Sequence, residues 1–130
     1  MKTLIINGGT IEDAFALSYI ERVKPDCILA ADRGMEFCYR NQIKPDVILG
    51  DYDSADKTIL EAFRRQSGIE WHQYQPEKDY TDSEIAIGKA MERNSSEIHI
   101  LGGTGTRLDH VLGNIPVSYT HLTLPTILRV

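Results

Sequence analysis

The segment PDVILGDYDS, residues 45–54, joins an apolar run to two aspartates that are separated by one residue. The run Asp46–Leu49 is typical of a short buried strand, and Gly50 follows it. In an extended segment Asp51 and Asp53 project to the same side, so their carboxylates can share one ligand. Acidic side chains at strand ends of an open α/β sheet lie in the crevice where such folds bind ligands. The segment therefore predicts an α/β fold with a site at the end of this strand.

The rest of the chain repeats this pattern of a strand followed by a helix. Strands are predicted at Leu4–Ile6, Cys27–Ala31, Asp46–Leu49, Glu70–Tyr74 and Glu97–Leu101. Helices are predicted at Ile11–Val23, Met35–Asn41, Lys57–Gln66 and Tyr80–Arg93, with a last one from Arg107 to Ile115. Such alternation implies parallel pairing with right-handed crossovers. We therefore predict an open, mainly parallel sheet of about five to six strands with helices on both faces, a Rossmann-like three-layer sandwich.

Length and composition narrow the class of protein. A chain of 130 residues is one domain by length, and 42% hydrophobic with 25% charged residues is ordinary for a soluble globular protein. The net charge of −5 argues against a nucleic-acid surface, which needs a basic face. Because no run has membrane-spanning length and no signal peptide is evident, we expect a cytoplasmic protein. Cys27 and Cys38 are expected to be reduced, packed thiols.

The segment KDYTDSE, which starts at Lys78, lies at a predicted strand-to-helix junction. Thr81 and Glu84 have the spacing of a helix capping box. That interpretation leaves Asp79 and Asp82 without a role. Lys78 suits a phosphate as a flexible point charge. Asp82, in the first turn of the helix, is a candidate third metal ligand.

The segment GGTGTRLDH, residues 102–110, is a glycine-rich turn that enters a predicted helix. Its backbone N–H groups would form an anion cradle, and Arg107 could hold phosphate oxygens with two hydrogen bonds. Asp109 and His110 lie directly behind it. The segment is neither a Walker A loop nor a dinucleotide fingerprint, and a tight turn would need glycine in any case.

Convergence of these carboxylates at one crevice has a consequence for charge. They would repel one another unless a cation lay between them, and Mg²⁺ prefers oxygen ligands of this kind. With glycine-rich turns beside them, the acids predict a divalent metal that binds phosphate. Taken singly, each acidic segment is also typical of a turn or a helix cap, and so is Asp32 after the second strand.

Four segments together resemble the catalytic domain of thiamine pyrophosphokinase, also called thiamine diphosphokinase. These segments are Ala31–Gly34, Pro45–Ser54, Lys78–Glu84 and Gly102–His110 with Asn114, and their order also matches. The resemblance covers about Met1 to Ile115. It implies a transferase of thiamine diphosphate biosynthesis, in which the hydroxyethyl oxygen of thiamine attacks the β-phosphorus of ATP and AMP leaves. Such transfer depends mainly on positioning and charge neutralisation.

The resemblance also implies site residues. The catalytic residues would be Asp51, Asp53, Asp82 and Arg107, and the three aspartates would be the Mg²⁺ ligands. The nucleotide- and phosphate-binding residues would be Asp32, Lys78, Asp79, Thr104, Arg107, Asp109 and His110. ATP and thiamine are the expected small-molecule substrates, and neither nucleic acid nor membrane is an expected partner. Family members are homodimers, and dimerisation of this chain is left open.

The end of the chain departs from the rest. Residues 1–116 are expected to form the ATP- and Mg-binding catalytic domain. Residues 117–130, VSYTHLTLPTILRV, contain no acidic residue and a central Pro125. We expect an atypical tail there, either a strand or a frayed end, and non-native sequence is one interpretation. The β-rich C-terminal domain that completes the thiamine pocket in the family is expected to be missing.

Two other functions stay open on the sequence. The same phosphate-binding residues could serve a diphosphokinase that acts on a pterin alcohol, since the acceptor pocket is what differs. The chain could also be a nucleotide-binding module without catalysis.

Overall fold

The computed structural model describes residues 1–8, 11–31, 33–50, 56–73, 82–102 and 126–129. The elements, in chain order, are β1 Lys2–Ile6, α1 Asp13–Val23, β2 Cys27–Ala31, α2 Gly34–Arg40, β3 Val47–Gly50, α3 Lys57–Arg64, β4 Glu70–Gln73, α4 Asp82–Glu92, β5 Glu97–Leu101 and β6 Thr126–Arg129. Strands and helices alternate as far as β5, as the hydrophobic pattern predicts. None of the helices in this part of the chain is long and apolar enough to cross a membrane.

The bounds of the elements follow local signals in the sequence. β2 and β5 have the predicted bounds, and the other predicted elements with described bounds differ by one or two residues at an end. α3 begins after Asp56 because the carboxylate of that residue accepts a hydrogen bond from the Thr58 backbone N–H, at 2.8 Å. α1 ends where Lys24 adopts a left-handed conformation, with φ 52°. The predicted last helix and the Thr81 cap lie outside the described residues.

The sheet has the strand order β4-β3-β2-β1-β5-β6, and every adjacent pair is parallel. The chain first moves outward from β1 to β4. It then returns across the sheet, and β5 pairs with the free side of β1. The direction of winding therefore reverses between β1 and β5, and the prediction of an open parallel sheet is confirmed.

Two hydrophobic clusters cover the two faces of the sheet. One contains residues of α1, α2 and α3, including Ala16, Phe37 and Phe63, packed on strand residues such as Leu4 and Ile48. The other contains residues of α4 packed on the opposite strand face: Ile5, Leu29, Ala31, Val47, Leu49, Ala86, Ile87, Ala90, Met91, Ile98 and Ile100. Right-handed crossovers produce this division, because outward and returning connections must lie on opposite faces. The predicted three layers are present.

Both cysteines are free and buried. Burial raises the pKa of the Cys38 thiol to about 12, so this thiol stays protonated at neutral pH. Cys27 opens β2 and is 4% exposed. The two residues act as small apolar side chains of the core.

Gly34, the first residue of α2, lies against the end of β1. A Cβ atom at this position would be 1.9 Å from the Ile6 carbonyl oxygen and 2.8 Å from the Ile6 carbonyl carbon. Both are backbone atoms, so neither can move as a flexible side chain does. The start of α2 can therefore approach the central strand only with glycine at position 34.

We expect Gly34→Ala to lower the free energy of unfolding by about 3 kcal/mol or more, because the added methyl must displace backbone. The matched control is Gly88→Ala, inside α4, where an added Cβ meets nothing within 4 Å. That change should raise the free energy of unfolding by about 0.5–1 kcal/mol, since alanine restricts the unfolded chain more than glycine. Urea unfolding of the three proteins checks this. Equal stability of Gly34→Ala and the wild type would contradict the packing.

Candidate functional site

The carboxyl ends of the strands meet at one edge of the sheet, because all the strands are parallel. β2 ends at Ala31, β3 at Gly50 and β5 at Leu101. The next residues in the sequence are Asp32, Asp51 and Gly102, which belong to the predicted motifs. α4 follows β4 and begins at Asp82, so it starts from the same edge. The scaffold therefore directs four separate segments to one edge, which is where open α/β sheets bind ligands.

Most of the predicted site residues lie outside the described part of the chain. These residues are Asp32, Asp51, Asp53, Lys78, Asp79, Thr104, Arg107, Asp109 and His110. Asp82 is described only as the first residue of α4, without its side chain. Their assignments as metal, phosphate or nucleotide contacts therefore stay predictions. Within the described residues, no group of three or more His, Cys, Asp or Glu side chains could hold a metal ion.

The ends of β1 and β5 approach each other closely at the reversal of strand order. The Asn7 backbone N–H donates to the Leu101 carbonyl oxygen at 2.9 Å. Gly102 follows with φ 71°, a left-handed conformation that favours glycine. A Cβ on Gly102 would be 2.9 Å from the Asn7 carbonyl oxygen and 3.0 Å from the Ile11 side chain. The crevice at the reversal is thus bordered by backbone.

Gly50 sits directly before the predicted metal ligands. It is the last residue of β3, it is buried, and its φ of 146° is rarely adopted by residues that carry a side chain. Glycine is therefore favoured at the last position of β3, directly before Asp51 in the sequence. The sequence predicts that Gly50 lets the backbone approach closely, and its φ adds a conformational requirement for glycine.

The end of β1 also contacts the start of α2. A Cβ on Gly8 would be 2.7 Å from the Cβ of Arg33 and 3.3 Å from its backbone nitrogen. The family resemblance implies a nucleotide-binding role for the acid of this segment, Asp32, and none for Arg33. Gly8 and Gly34 are the sequence feature that could have indicated a role for Arg33, because each marks a segment that approaches another closely.

The two described histidines, His99 and His72, each contact another side chain. His99 on β5 is 4% exposed, and its Nδ1 hydrogen-bonds the Tyr19 hydroxyl of α1. Its Nε2 has no hydrogen-bond partner among the described residues, and the Glu97 carboxylate is 3.9 Å away. Burial lowers the pKa of His99, an effect that the nearby Glu97 carboxylate opposes. His72 pairs with Glu70 on the edge strand β4, at 2.7 Å.

Comparison with known proteins gives the same family in sequence and in structure. A family model described as thiamin pyrophosphokinase, catalytic domain, matches residues 21–128. Thiamine pyrophosphokinase of Bacillus subtilis strain 168 is 38% identical over 94 residues, which are 70% of this chain and 42% of that protein. Thiamine pyrophosphokinase 2 of Arabidopsis thaliana is 35% identical over 91 residues, which are 65% of this chain and 34% of that protein. The matched segment thus covers less than half the length of each of these relatives.

Solved structures of the family share the fold. The crystal structure of thiamine pyrophosphokinase from Bacillus subtilis has a TM-score of 0.68 and 26% identity, covering 100% of this chain and 60% of that chain. The structure from Geobacillus thermodenitrificans has a TM-score of 0.67 and 26% identity, covering 100% of this chain and 59% of that one. The family match reaches residue 128 and therefore includes most of β6. The interpretation of residues 117–130 as an atypical tail stays a prediction.

The buried His99 gives a prediction for stability against pH. Because its folded pKa is depressed below the ordinary value of 6.5, the unfolded chain binds a proton more readily. The contribution of His99 to stability is complete above pH 6.5 and is lost as pH falls toward the folded pKa. We expect the free energy of unfolding to decrease between pH 7.5 and 5.5, by at most about 1.4 kcal/mol per pH unit from this residue.

Urea unfolding at several pH values measures this slope. His99→Phe should flatten it. The same slope in His99→Phe and the wild type would rule out His99 as the group responsible.

Proposed function

We propose that this chain, which belongs to the thiamin pyrophosphokinase catalytic-domain family, carries the ATP and Mg²⁺ site of a thiamine diphosphokinase. The observation that supports this most strongly is the family match over residues 21–128, which spans most of the sheet and the candidate site. Such an enzyme moves a diphosphate group from ATP to thiamine and releases AMP. The relatives are named for thiamine, which favours thiamine over a pterin alcohol as acceptor.

The proposed metal ligands are Asp51, Asp53 and Asp82. Two features of the described backbone support them: Gly50, directly before Asp51 in the sequence, ends β3 with a φ of 146°, and α4 begins at Asp82. The donor set consists of carboxylates, which suit a hard cation such as Mg²⁺. When bound, Mg²⁺ would neutralise charge on the phosphate oxygens.

The remaining predicted residues fit the transfer step. In that step the thiamine hydroxyethyl group releases its hydroxyl proton, a bond forms between its oxygen and the β-phosphorus, and the bond from that phosphorus to the oxygen of AMP breaks. Lys78 and Arg107 would hold phosphate oxygens and stabilise the charge that develops on them. The other residues proposed to line the nucleotide are Asp32, Asp79, Thr104, Asp109 and His110. The protein's part is to align the acceptor oxygen with the leaving group.

Two further properties belong to this proposal. A cytoplasmic location suits an enzyme that consumes ATP and a small soluble acceptor. Members of the family are homodimers, according to the resemblance described above. Analytical ultracentrifugation measures whether this chain dimerises.

We expect Asp51→Asn and Asp53→Asn each to weaken Mg²⁺-dependent binding of a non-hydrolysable ATP analogue by about tenfold or more, since each removes one carboxylate from the metal. Isothermal titration calorimetry with and without Mg²⁺ measures this. Asp56→Asn is the matched control, because it removes the same charge nearby while asparagine still caps α3. Wild-type affinity in both Asp51→Asn and Asp53→Asn would remove these residues from the metal site.

The activity itself is tested by product analysis of the chain with ATP, Mg²⁺ and thiamine. Diphosphate transfer by the chain would give thiamine diphosphate and AMP in equal amounts, and no AMP when thiamine is left out. Nucleotide binding without any AMP would instead support a nucleotide-binding module without catalysis. Formation of ADP rather than AMP would contradict diphosphate transfer.

A further inference from the structure

We propose that Arg33 binds a phosphate group of the nucleotide at the carboxyl edge of the sheet. This inference rests on the proposed function, since it names a further contact for the same nucleotide. Within the Ala31–Gly34 segment, the sequence predicts a role only for the acid, Asp32. The inference adds a role for the cation, Arg33.

The first argument is position. Arg33 lies two residues after the end of β2 and immediately before α2, so it is at the edge where the predicted motifs begin. Its Cβ lies against Gly8, in the turn after β1, where a methyl group would be 2.7 Å away. Gly34, the next residue, is fixed against the Ile6 carbonyl oxygen. The Arg33 backbone is therefore held from both sides, next to the end of the central strand.

The second argument is that the Arg33 side chain is exposed and makes no ion pair among the described residues. Three other arginines whose side chains are described have partners, whereas Arg22 and Arg65, like Arg33, make no ion pair there. Arg40 bonds both carboxylate oxygens of Asp13 at 2.7 Å, and Arg93 lies 3.1 Å from Glu70. Arg64 lies over the Trp71 ring at 5.6 Å. A rigid backbone under an unpaired guanidinium is suited to receiving an anion from solution.

The third argument is charge. The chain carries a net charge of −5, and the motifs that are predicted to meet at this edge contain several aspartates. A polyphosphate that enters such an edge needs cations from the protein in addition to a metal. Arginine suits phosphate because its planar guanidinium donates two parallel hydrogen bonds, a geometry that lysine cannot reproduce.

The experiment compares Arg33→Ala, Arg33→Lys and the wild-type chain by calorimetry. The probes are a non-hydrolysable ATP analogue with Mg²⁺, and adenosine, which has no phosphate. We expect Arg33→Ala to weaken binding of the ATP analogue by about tenfold or more and binding of adenosine by less than about twofold. Arg33→Lys should fall between Arg33→Ala and the wild type. If Arg33 had a purely structural role, Arg33→Ala would weaken the binding of both ligands to the same extent.

The matched control is Arg65→Ala. Arg65 is an exposed arginine at the far end of α3 from the site edge, and its change alters net charge by the same amount. It should bind both ligands as the wild type does. Wild-type binding of the ATP analogue by Arg33→Ala, or equal loss of both ligands, would overturn the inference while leaving the proposed function standing. Failure of the wild-type chain to bind the ATP analogue would overturn both.

Discussion

The rest of the structure depends on one constraint. Backbone encloses the carboxyl end of β1 on both sides. On one side the start of α2 reaches the Ile6 carbonyl oxygen through Gly34. On the other side Gly102 lies against the Asn7 carbonyl oxygen, and the Asn7 N–H bonds Leu101. These contacts hold the ends of three parallel strands together at the point where the winding reverses. A crevice for a ligand follows from this arrangement.

Much of the fold could be predicted because burial leaves a regular mark on the sequence. Cys27–Ala31 is an apolar run, and Glu97–Leu101 is rich in isoleucine and leucine; both strands have the predicted bounds. Strand order could not be predicted in the same way, because an apolar run looks the same at any position in a parallel sheet. The central place of β1 and the return of β5 to its side come from the packing of the helices on two faces.

The candidate site could be predicted only as far as its position at the edge of the sheet. Strand ends fix where a loop begins, so the motifs that follow Ala31, Gly50 and Leu101 begin at one edge. Distances between carboxylates do not follow from hydrophobic periodicity, because they depend on the contacts that each side chain makes in the folded chain. Glycine requirements such as that of Gly34 depend on a contact remote in sequence, which one sequence does not display.

The charge of the proposed site links its two ligands. Aspartates that face one another repel each other, and they also repel an approaching polyphosphate. A metal ion between them would remove this repulsion. An arginine such as Arg33 offsets part of this repulsion, but it does not bind the carboxylates and the phosphate at once in the way that a metal does. On the proposed function, Mg²⁺ and the nucleotide therefore each stabilise the form of the site that binds the other. Because binding free energies are reciprocal, each ligand must raise the affinity for the other by the same factor.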